Sequence, residues 1–118
     1  RRSMSNKTIR VPILNVEYKV IVCWGTPAYV AGVFRRYHYP PQLIGTDSFR
    51  GRCYYHTGCF PIILMSARPS TSMLIGTLAH EAVHAVDWVF DVIEEKRSDE
   101  VYAHSVGAIV REVLNAGG

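Results

Sequence analysis

Residues 70–92, STSMLIGTLAHEAVHAVDWVFDV, decide how the chain folds. Leu74, Leu78, Ala82, Val86 and Val89 recur at spacings of three and four, the stripe of an amphipathic helix. The helix should begin near Ser70 to Ser72, where hydroxyls can cap the first N–H groups. It should run to about residue 92. His80, Glu81 and His84 interrupt a background of small apolar groups, Ala82, Val83, Ala85 and Val86. Ionisable groups set in an apolar helix need partners. Two histidines four residues apart share one face, one turn above the other.

Working outward, residues 94–99, EEKRSD, form a polar connection, and Ser98 can cap a last helix over about 99–114. Val101, Ile109, Val113 and Leu114 are its core candidates, and Asn115-Ala116-Gly117-Gly118 ends it as glycine does. Upstream, residues 66–72 read as a loop and Phe60 to Met65, FPIILM, as a strand. Pro61 cannot donate to a ladder, so it favours a sheet edge or the strand start. Residues 42–59 are punctuated by Gly45, Gly51 and Gly58 and predict one or two short strands, paired as a hairpin. Residues 9–24 alternate as one strand, with Pro12 near its start and Val16, Tyr18, Val20 and Val22 on one face. Gly25 breaks it; Thr26 caps and Pro27 opens a helix carrying Val30, Val33, Phe34 and Tyr37. Pro40-Pro41 stops that helix. This order predicts an α+β domain: a small, mostly antiparallel sheet with helices packed on one face, the histidine helix and the C-terminal helix among them.

The chain has 118 residues, 48% hydrophobic and 19% charged. That fits one packed domain over residues 1–118 and excludes a disordered chain or a multidomain enzyme. No run of 18 uncharged apolar residues occurs, so no membrane partner is expected. The net charge is +3. Arg1-Arg2-Ser3 reads as a remnant ahead of a native start at Met4, with residues 1–8 a remnant or a flexible N-terminus. Without those two arginines +3 falls to +1. Bulk charge therefore gives nucleic acid no support as a partner; Arg35, Arg36, Arg50 and Arg52 would need to show steep salt dependence. Three cysteines and no hydrophobic leader argue for free thiols in a reducing, cytoplasmic compartment. Cys53, His56 and Cys59 form a C-x2-H-x2-C group without a nearby fourth ligand or a usual zinc spacing.

The imidazoles of His80 and His84 can converge on one ion, and zinc takes such nitrogens at about 2.0–2.1 Å. Glu81 is rotated by about 100° from that direction, within reach of a water held there. Chance supplies an HExxH in this composition about 0.01 times. A catalytic zinc needs a third protein ligand. Asp87 shares the face of His84 but lies beyond the ion, better placed as a hydrogen-bonding support. Geometry leaves Glu100 and His104, one turn apart on the last helix, nearly even.

The stretch from Thr77 to Val86, TLAHEAVHAV, resembles the active helix of HExxH zinc metallopeptidases, the zincins. More closely it resembles the compact metallopeptidases encoded by phages and prophages. In those a Glu-x-x-Ala-Tyr segment follows the helix. Here Glu100-Val101-Tyr102-Ala103-His104 matches it, with His104 in place of Tyr. The likeness spans roughly residues 51–114. It implies a minimal zincin-like fold, one zinc ion on His80, His84 and Glu100 in the manner of gluzincins, and the cytoplasm of a bacterial host. It implies hydrolysis of a peptide or protein substrate through a zinc-bound water, with Glu81 as general base. The His104 departure leaves open a three-histidine site, or a role beside the ligands or at the oxyanion. Other oxyanion donors are Tyr102, Tyr55 and His56. Zincins receive the peptide by addition to an edge strand; Phe60 to Met65, with Ile62, Ile63 and Leu64, is the expected one. Trp24 and Trp88 read as core or rim aromatics. The alternative is a non-catalytic binding or structural module that keeps its zinc as a staple.

Overall fold

A computed structural model describes residues 5–93 and 99–117. Its elements are β1 (Lys7–Ile13), β2 (Asn15–Trp24), α1 (Pro27–Arg36), a 3-10 turn (Pro41–Ile44), β3 (Gly51–Tyr54), β4 (Ile62–Met65), α2 (Ser72–Ile93) and α3 (Asp99–Gly117). The architecture is α+β. The sheet runs β1-β2-β4-β3, antiparallel except where β2 lies parallel to β4.

The single strand expected over 9–24 is a hairpin. Leu14 adopts φ 64°, and the register is irregular between Pro12 and Ile13. No Asn-Gly or Asp-Gly marks this reversal, and a leucine in the left-handed region is an uncommon turn residue. Lys7 and Thr8 pair with Trp24 and Cys23, and the Asn6 side chain accepts a 2.8 Å bond from the Thr26 N–H. The reading of 1–8 as a flexible terminus is thereby corrected for residues 6–8. Residues 1–4, most of the 94–99 connection and the Ser98 cap lie outside the described residues.

Helices cover both faces of the sheet, where one was expected. Val20, Val22 and Trp24 of β2, with Ile9, Val11 and Ile13 of β1, pack under α2 and α3. Ile21 and Cys23, with Ile62 and Leu64 of β4, pack against Val30, Val33 and Phe34 of α1. The runs VIVCW and IILM lack a polar alternate face, which is the pattern of strands buried on both sides. Leu78, Ala82, Ala85 and Val86 of α2 and Ile109 and Val113 of α3 are fully buried. Each of the larger ones stabilises the fold by about 1.5–3 kcal/mol through area removed from water.

The helix ends follow their local chemistry. Thr26 caps α1, its hydroxyl accepting from the Tyr29 N–H at 3.3 Å, with Pro27 at the first helical position. The Thr71 hydroxyl accepts from the Leu74 N–H at 3.2 Å and fixes the start of α2. Among the described residues no helix is long and apolar enough to cross a membrane.

A candidate metal and peptide site

The buried stripe of α2 fixes where its histidines go. With Leu78, Ala82, Ala85 and Val89 turned into the core, His80 and His84 project from the opposite, exposed side. Their Nε2 atoms approach to 3.3 Å, and the rings are inclined at 78° with centroids 4.9 Å apart. Two ligands at about 2.0–2.1 Å on a tetrahedral ion are separated by about 3.3–3.4 Å, the edge of that tetrahedron. The distance is that of a hydrogen bond between the two rings, and it also equals the separation of two ligands on one tetrahedral zinc.

Glu81 is rotated off the histidine face toward β3 and is half-buried. Its surroundings are set by the inner face of β3. A Cβ at Gly51 would lie 2.8 Å from Thr77 Cγ2, 2.9 Å from Met65 Sδ and 3.6 Å from Glu81 Cγ. Strand and helix thus approach closely at Gly51. Two residues on, Cys53 faces the same way, its thiol pushed up to about 12 by burial and by the Glu81 carboxylate. Two further on, Tyr55 stacks on Trp88, centroids 4.9 Å apart. One seam results: Gly51, Cys53 and Tyr55 against Thr77, Glu81 and Trp88.

Among the described residues β3 is a sheet edge. The Ser66 N–H donates to the Arg50 carbonyl at 2.9 Å on the β4 side. Ladder alternation then turns the backbone groups of Arg52 and Tyr54 toward β4 and those of Gly51 and Cys53 outward. These outward groups are placed to pair with an added strand beside Glu81.

Several expected residues stand elsewhere. Ile62, Ile63 and Leu64 are not an edge: β4 pairs with β2 on one side and β3 on the other, and all three are buried. Pro61 stands immediately before β4, the strand start that was one of its two expected places. Glu100 does not join the histidines. It is exposed and lines a depression of about 420 Å³ with Pro12, Ile13, Leu14 and His104. The cause is the rotation of α3, which turns Tyr102, Ser105, Val106 and Ile109 inward and leaves Glu100 and His104 outside. Asp87, half-buried, does not join them either; among the described residues no group of three His, Cys, Asp or Glu side chains is arranged to hold a metal.

The expected oxyanion donors are placed as follows. The Tyr102 hydroxyl donates to the Val83 carbonyl at 3.2 Å, tying α3 to α2. Tyr55 lies on Trp88, and His56 Nδ1 is 3.1 Å from the Thr57 carbonyl. Cys53, Cys59 and Cys23 are free thiols. Trp24 is in the core and Trp88 on the rim. Arg52 lies over the Phe49 ring at 4.4 Å, engaged within the fold.

Gly51 and Cys53 are site residues the sequence reading missed. Their signal is the alternation Gly51, Cys53, Tyr55, with the smallest side chain opposite the turn that carries Glu81. Comparison of the chain with protein-family models, with curated proteins and with solved structures finds no match.

Proposed function

We propose that this chain is a zinc-dependent peptidase whose ion is held by His80 and His84. The reading is carried by the 3.3 Å separation of their Nε2 atoms, the spacing of two ligands on one tetrahedral ion. The HExxH resemblance supports it. Zinc bound there would polarise a peptide carbonyl and make a neighbouring water acidic.

The protein's own residues divide the remaining work. His80 and His84 present their Nε2 atoms to the ion. Glu81 accepts the proton of the attacking water and returns it to the leaving amine. Its place between the histidine face and β3 puts it beside a peptide laid along that strand. The outward N–H and C=O groups of Gly51 and Cys53 hold the peptide by backbone hydrogen bonds, which are indifferent to its side chains. The resemblance assigns the third ligand to Glu100, but α3 turns that residue away from the histidine pair; loss of zinc affinity in Glu100→Gln but not in His104→Ala would return it to the site.

The function is tested by Glu81→Gln in zinc-loaded protein. Retained metal with hydrolysis lowered by at least about 100-fold is expected. The exposure of both histidines favours a second reading, a zinc staple without chemistry. Unchanged behaviour of Glu81→Gln, together with a lowered melting temperature in His84→Ala, supports that reading instead.

A further inference from the structure

The outer side of β3 carries a feature that the hydrolytic machinery does not use. A depression of about 500 Å³ lies between the end of β3 and the segment that follows α1. Its walls are the 38–43 segment, with Tyr39 and Leu43, on one side and residues 53–56, with Tyr54, on the other. The floor is rigid. Tyr39 is buried and donates its hydroxyl to the Phe60 carbonyl at 2.7 Å. Tyr54 meets the Phe34 ring edge-on, centroids 5.0 Å apart. Its size is that of a small-molecule pocket, and its lining is largely aromatic and aliphatic.

Strand geometry says what would enter it. Side chains directly opposite one another in paired strands lie on the same face of the sheet. Cys53 faces α2, so the peptide residue opposite it stands on the Glu81 side. Tyr54 faces α1, so the next peptide residue points to the α1 side, over Tyr39 and Leu43. We infer that this depression is a specificity pocket for one bulky apolar side chain, aromatic or large aliphatic, adjacent to the substrate residue that faces Glu81. The inference rests on the proposed peptidase reading and supplies its substrate preference. Backbone pairing along β3 gives affinity, and the pocket gives sequence selectivity.

Leu43 is the position at which to test it, because it is 49% exposed and belongs to neither α2 nor β3. Zinc-loaded wild type is presented with a peptide library. Phe, Tyr or Leu at one fixed position beside the cleaved bond should raise kcat/KM by about tenfold over Ala. Leu43→Trp, which narrows the depression, should weaken that preference, and Leu43→Glu should move it toward Lys and Arg, both with wild-type melting temperatures. A wild type that cleaves with no preference at any position overturns the inference and leaves the peptidase reading standing. If wild type cleaves nothing, the peptidase reading fails, and Glu81→Gln protein is titrated with an acetylated Phe peptide and its Ala counterpart by tryptophan fluorescence. Tighter binding of the Phe peptide, weakened on adding Leu43→Trp, sustains the pocket; equal binding overturns it.

Discussion

A carboxylate and two imidazoles within five residues carry opposite demands. In the proposed site His80 and His84 give lone pairs to the ion, while Glu81 takes a proton. Protons and zinc compete for the same imidazole nitrogens, so zinc affinity should be lower in acid than near neutrality. Competition with a metal indicator at pH 7.5 and 5.5 checks this, and an affinity independent of pH would place the metal elsewhere. The histidine pair was legible because its spacing is a property of the helix alone. The position of Glu100 was not legible, because it depends on how α3 rolls against α2. Tyr102, two residues away, takes the contact with Val83 and turns Glu100 out.

At the scale of elements, the height of β3 over α2 is set by one missing side chain. Gly51→Ala would push a methyl against Thr77 and Met65. Overpacking of this kind costs about 1–3 kcal/mol. It should also lift the edge away from Glu81 and raise KM for peptides more than it lowers kcat. Thr77→Ser, which removes the opposing methyl, should recover part of both losses in the double variant. Gly107→Ala, on an open helical face, should leave KM unchanged. Melting curves and steady-state kinetics on these variants decide it, and a Gly51→Ala protein with wild-type KM would remove β3 from the site. Elements bounded by local chemistry were read well: Thr26-Pro27 opens α1, and the loop before Ser72 ends where Thr71 caps α2. The hairpin at Leu14 was missed because its turn carries no turn residue. The edge was misassigned because an apolar run such as IILM marks burial without saying which strands flank it.

For the whole molecule, helices on both faces of the sheet bury polar atoms deeply as well as apolar ones. Burial pushes the Cys23 thiol up from 9.0 to about 12, and burial with the Glu81 charge does the same for Cys53. A raised thiol means that the folded state prefers the protonated form. The associated stability is complete below pH 9, where the unfolded thiol is also neutral, and is lost as pH climbs toward 12. Melting temperature should therefore decline above pH 9, less steeply in a Cys23→Ala, Cys53→Ala double variant. An equal decline in both proteins would assign the effect to other groups. The α+β class followed from the order of strand and helix patterns; the third layer did not, because α1 discloses its stripe but not the side of the sheet it covers.

The proposed function turns on one ion between two rings, and its occupancy can be counted. Metal-stripped protein is titrated with zinc by calorimetry, alongside His80→Ala, His84→Ala and Glu81→Gln. One site per chain in wild type and in Glu81→Gln, with that site missing from both histidine variants, is the predicted result. Wild type that takes up no zinc, or histidine variants that bind it as well as wild type, would contradict the proposal.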